Sequence, residues 1–203
     1  RTDQRGPIDE DAWSRMQSGR TTMSHQLSSG RLVATFAGFT EKRGSGTPLG
    51  RNQADGFDWS LGLQGEVSRT VLFGQEREFS SVFPTVTGIK AERTSERIAL
   101  DQYSVPASSL GFVHENSIDA DEHEFGFNAM ILRKEGHTNE INKFTDAHRH
   151  AGGRQTQIGL SLSDTWNPAE SWNLFAALKA EWFRNDEGIR RGWKTSNGTF
   201  SRS

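Results

Sequence analysis

The strongest constraint in this sequence is a two-residue rhythm of apolar and polar side chains along most of its length. Such alternation marks a β-strand with two unlike faces, because successive side chains of a strand point to opposite sides. Phe57–Val67 is the clearest case. Phe57, Trp59, Leu61, Leu63 and Val67 fall on one side with Gly65, and Asp58, Ser60, Gly62, Gln64 and Glu66 on the other. In Arg31–Glu41, Leu32, Ala34 and Phe36 share a side, while Val33 and Phe39 keep the other fairly apolar. Thr70–Gln75, Val82–Ala91, Arg97–Ser104, Ser109–Asn116, Phe125–Arg133, Gln157–Trp166 and Trp172–Phe183 complete the set. Roughly nine strands of about five to twelve residues make an all-β chain.

Trp172–Phe183 carries competing signals. Asn167-Pro168-Ala169-Glu170 reads as a helix start, and Ala176–Glu181 is rich in helix formers. As a helix, however, Trp172, Ala176, Ala180 and Phe183 would lie opposite the stripe of Leu174, Phe175, Leu178 and Trp182. As a strand, Trp172, Leu174, Ala176, Leu178, Ala180 and Trp182 all share one face. The pattern therefore predicts a strand. Residues 1–30 are polar, with only Ile8, Trp13, Met16, Met23 and Leu27 large and apolar. They read as an N-terminal arm or loop. Residues 31–203 read as a β-barrel domain, whole or part of a larger barrel. The absence of an initiator Met or signal peptide before Arg1 fits a mature form or a fragment.

Composition removes several classes. The chain has no cysteine, hence no disulfide or thiolate site. A formal net charge of −2 argues against nucleic acid as a partner. No apolar run reaches the ~18 residues of a membrane-crossing helix. Neither a phosphate-binding Gly-Lys-Thr loop nor a dinucleotide-binding glycine motif is present.

The connections are of two kinds. Arg43–Gly56 and Gly136–Gly153 are long and polar, whereas Asn167–Ser171 is short and flanked by Trp166 and Trp172. Long loops alternating with tight turns, with tryptophans near the turns, suit a barrel that crosses a membrane by strands of ~9–11 residues. Ile158-Gly159-Leu160-Ser161-Leu162-Ser163, Trp172-Asn173-Leu174 and Leu178–Asp186 resemble the hairpins of bacterial outer-membrane β-barrel proteins. That resemblance implies an outer-membrane pore, transport conduit or surface-exposed adhesin with membrane lipid as its partner. Trp59, Trp166, Trp172 and Trp182 would meet lipid near its interfaces, and Asp58, Glu66, Lys179 and Glu181 would face the lumen. The cargo would be small solutes or surface glycans; no cofactor, metal or catalytic residue is expected.

A second resemblance runs through Val71-Leu72-Phe73, Phe79–Val86, Tyr103-Ser104-Val105 and Gly111-Phe112, whose spacing is similar to that of H-type lectin domains and phage-fibre tips. It implies a soluble, secreted or virion-surface β-sandwich that binds carbohydrate.

Three polar clusters were weighed for chemistry. His114 and Ser117 offer parts of a lipid hydrolase, but a spacing of three puts them on opposite faces of a strand. Asp119–Glu124 holds five ligand-type side chains without the order of a calcium loop, and reads as a solvated acidic turn. His148 and His150 share a face in a polar stretch, half of a zinc or copper site at most. Asn197-Gly198-Thr199 is a glycosylation sequon.

Overall fold

The computed structural model describes residues 4–195 and 200–202; the sequon at 197–199 lies outside the described residues. Among the described residues nine strands form one sheet: β1 (Trp13–Leu27), β2 (Gly30–Gly44), β3 (Arg51–Gln64), β4 (Ser68–Thr87), β5 (Ser95–Ala120), β6 (His123–Asn142), β7 (Ala147–Ala169), β8 (Trp172–Lys194) and the short β9 (Phe200–Arg202). The chain is all-β and antiparallel throughout, each strand pairing with its neighbours in sequence. Among the described residues no ladder joins β1 to β8 or β9, so the sheet is open.

At one end the connections are tight: residues 28–29, 65–67, 121–122 and 170–171. The other end carries longer loops at 45–50, 88–94 and 143–146. Asp121 closes its turn with a φ of 53°, a left-handed conformation that Asp tolerates better than most residues. The expected long loops are thus mostly strand. Gly136–Gly153 is a hairpin in which His137 pairs Gly152 and Asn142 pairs Ala147. Polar side chains on both faces hid its extended backbone, which the neighbouring ladder stabilises. β5 reaches 26 residues, about 85 Å at ~3.3 Å per residue, so the strands far exceed a membrane-spanning length.

Two further corrections concern strand number and ends. Thr70–Gln75 and the first part of Val82–Ala91, up to Thr87, belong to one strand, while residues 88–91 fall in the following loop, whose Lys90–Glu92 form a 3-10 turn. Arg97–Ser104 and Ser109–Asn116 likewise share one strand. Pro84 is accommodated at a register shift after Phe83, and Pro106 in the ladder gap between Ser104 and Ala107 on the β6 side. Prolines enter sheets where the ladder already lacks a bond. Residues 13–27, expected as an arm, form β1, paired from Trp13↔Gly44 to Leu27↔Gly30. Both faces of β1 are largely polar, so backbone pairing, not an apolar stripe, holds it.

The register sorts side chains into two faces. Met23, Ala34, Leu61, Leu72, Phe112, Ile131, Ile158 and Trp182 are successive partners across β1–β8, forming an apolar row on one face. Ala37, Asp58, Gln75, Ser109, Lys134, Gln155 and Asn185 form an equivalent polar row on the other. The apolar face is the more open. Ile158, Leu160 and Leu162 are exposed, whereas Gly159 is buried and Ser161 and Ser163 are half-buried between them. Leu110 and Phe112 likewise flank the buried Gly111. No hydrophobic side chain among the described residues is buried; Leu61, Leu160 and Leu178 are 44%, 41% and 73% exposed.

Candidate functional site

The polar face is the first candidate. Asp58 of β3, paired with Ala37 and Gln75, points to it, as do Lys179 and Glu181 of β8. Asp58 receives the Arg77 guanidinium at 2.6 Å, and that guanidinium lies 5.3 Å from the centre of the Phe39 ring. Lys179 Nζ stands 3.0 Å from Glu181, which also accepts from Gln157 Nε2 at 2.9 Å. Ser109 donates to Gln75 at 3.4 Å and Gln155 to Asn185 at 3.0 Å. These bonds between half-exposed groups order the surface more than they stabilise it. Glu66 is a correction. Gly65 N–H bonds the Ser68 carbonyl at 2.8 Å, β3 stops at Gln64, and Glu66 sits in the resulting turn.

Trp59, Trp166, Trp172 and Trp182 all belong to the apolar face. Trp172 and Trp182 stand ten residue steps apart on β8, about 33 Å along the strand, or near 25 Å high at a tilt of ~40°. Trp166 and Trp172 stand toward the tight turns. Trp59 and Trp182 lie at the opposite margin, within one row of each other. Past Trp182 the same face turns charged on β6–β8: Arg133 and Arg184 lie in the row of Trp59, and Glu135 and Arg154 in the next, with Arg154 3.1 Å from Glu135 and also paired with Glu187.

The clusters weighed for chemistry come apart. His114 Nδ1 bonds Thr70 Oγ1 at 2.8 Å on the apolar face, while Ser117 Oγ donates to Glu124 at 3.2 Å on the other. Asp119 and Glu124 pair on the polar face, and His123 faces the opposite way. His150 and His148 do share a face, but His150 stacks on His137 at 5.4 Å and His148 on Trp193 at 5.1 Å. Among the described residues no three His, Asp or Glu side chains converge as a metal site.

Two features escaped the sequence reading. Asp164 interrupts the apolar stripe of β7 and is held by His123; a lone carboxylate between Leu162 and Trp166 was the available signal. Residues 4–12 also form a strap across the longer-loop end. Glu10 N–H bonds the Gly46 carbonyl at 2.9 Å, Ile8 N–H the Arg93 carbonyl at 3.5 Å, and Arg93 grips the Asp9 carboxylate through both Nε and Nη2. No local pattern links residues 84 apart.

The Arg93 hydrogen bond, with a second from Gly6 N–H, holds the Asp9 carboxyl below its ordinary value. A lowered value in the folded state makes the contribution complete above the unfolded Asp range near ~3.9 and removes it as pH falls further. Protection of residues 4–12 against hydrogen exchange, relative to the intrinsic rate at each pH, should therefore fall below about pH 4. Asp9→Asn should produce the same loosening at pH 7, and unchanged exchange in that variant would contradict the clamp.

No family model matches the chain, and no curated protein or solved structure matches it.

Proposed function

We propose that the chain forms wall of a β-barrel in a bacterial outer membrane, with the apolar face on lipid and the polar face on a lumen through which small solutes pass. The observation that carries this reading is the inverted exposure of the two faces. In a water-soluble sheet the apolar face is the covered one; here, along β3–β7, it is the open one, and the opposite face, where Gly, Ser and polar residues are joined by Phe73, Val113 and Met130, is the more enclosed. Water contact with so many leucine, phenylalanine and tryptophan side chains is costly, at ~25 cal/mol per Å² of apolar surface, and hydrocarbon removes that cost. The height of the apolar band between Trp172 and Trp182, and the charged row beyond it, agree with the dimensions of such barrels. Closure of the wall requires that the outer edges of β1 and β8 be paired, because a spanning sheet tolerates no free edge.

In this reading Trp59, Trp166, Trp172 and Trp182 anchor the two interfaces, and Asp58, Arg77, Lys179 and Glu181 line the conduit and set which charges pass. The test is partition between buffer and detergent, read with far-UV circular dichroism and gel mobility before and after heating. The wall predicts β-rich protein in the detergent phase and a band that shifts on heating. Monodisperse protein in plain buffer with an unshifted band would defeat it and favour a soluble sugar-binding sheet.

A further inference from the structure

One ionisable pair lies inside the apolar band. Asp164 alternates on β7 with Leu162 and Trp166, and His123 Nδ1–H donates to its carboxylate, 3.0 Å from each oxygen. The His123 ring lies parallel to those of Phe125 at 5.4 Å and Trp166 at 5.7 Å. Trp166 Nε1–H in turn donates to Glu122 at 3.3 Å. A carboxylate and an imidazole at lipid depth are costly and mark a functional site by default.

Beside this pair a groove of about 510 Å³ crosses β5–β8 on the apolar face. One bank is the row Ile118–Phe125–Asp164–Ala176, and the other the row with Phe127, Leu162 and Leu178. Gly126 lies in the floor. The groove is therefore hydrocarbon-like along its length and ionisable at one point, close to the tight turns.

We propose that the groove holds an acyl chain of a zwitterionic, ammonium-bearing phospholipid, whose ammonium group is received by Asp164 and Glu122. The inference rests on the wall reading, which makes the groove continuous with a lipid-facing surface. Local charge selects the headgroup. Residues 117–132 and 158–178 contain Asp119, Asp121, Glu122, Glu124, Asp164 and Glu170 and no Lys or Arg. An anionic phospholipid is repelled there, and an ammonium is attracted. His123, stacked on Phe125 and Trp166, fixes the Asp164 carboxylate, whose side chain is still about one third exposed (34%).

The test uses the chain in vesicles doped with phosphatidylethanolamine or phosphatidylglycerol spin-labelled at the same acyl carbon. Electron paramagnetic resonance reads the motionally restricted fraction of each. Phosphatidylethanolamine should associate about fivefold more strongly, the ratio for one charge contact near a membrane surface. Ala176→Trp, which fills the groove without changing charge, and Asp164→Asn should each bring it down to the phosphatidylglycerol level. Leu110→Trp, on the same face but outside the groove, should leave the preference intact. Equal association of the two lipids with inserted protein, or a preference that survives Ala176→Trp, overturns the lipid site while the wall reading stands. A chain that does not enter the vesicles overturns both.

Discussion

In the proposed barrel wall, Leu178→Arg is expected to weaken insertion of the chain into bilayers by about 2–4 kcal/mol, the cost of a cation at a lipid-facing, mid-bilayer position. Leu178 lies between Trp172 and Trp182 on β8, in register with Leu162, and is 73% exposed on the apolar face. Ala177 is its neighbour in sequence but points to the polar face, opposite Ser163. Ala177→Arg should therefore cost far less, since in the proposed wall its guanidinium enters the lumen rather than lipid. Urea unfolding from vesicles measures both variants. Equal penalties would mean that the two faces meet the same medium.

Gly30→Ala should destabilise the sheet by about 1–3 kcal/mol. Gly30 opens β2 with a φ of 144°, outside the range of L side chains, and a methyl group there would collide with the Gln64 carbonyl oxygen. Two separate penalties coincide: backbone strain in the β1–β2 turn, and displacement of the end of β3. Neither is relieved by a rotamer change, because the obstacle is main chain. Gly19→Ala is the matched control; it lies mid-strand in β1 with nothing within 4 Å of the added carbon. A loss no greater than that of Gly19→Ala would show that the turn does not hold the geometry described.

How much was legible beforehand depended on where sequence contrast and backbone pairing coincide. In β3, β7 and β8 they do. Trp59, Leu61, Leu160, Leu162 and Leu178 alternate with Ser60, Gly62, Ser161, Ser163 and Lys179, and the register keeps those two sets on opposite faces. The contest between helix and strand for Trp172–Phe183 resolves as strand because β7 supplies a partner along its length. β1 and the hairpin around residues 136–153 escaped for the converse reason. Their side chains are polar on both faces, so no local period shows, and the hydrogen bonds that extend them come from strands elsewhere in the chain. Glu66 reads as part of the strand because alternation continues through Val67, although β3 ends at Gln64 and the backbone turns at Gly65. The Asp9–Arg93 clamp and the His123–Asp164 pair join residues distant in sequence, a relation that only the fold brings about.

Site-directed spin labelling along β7 tests most directly which face meets hydrocarbon. These 203 residues contain no cysteine, so single cysteines at residues 157 through 162 can be labelled in an otherwise unmodified chain reconstituted in vesicles. Labels at 158, 160 and 162 should collide preferentially with oxygen, which concentrates in the bilayer, and those at 157, 159 and 161 with a water-soluble nickel chelate. The opposite alternation, or none, would contradict a lipid-facing apolar side.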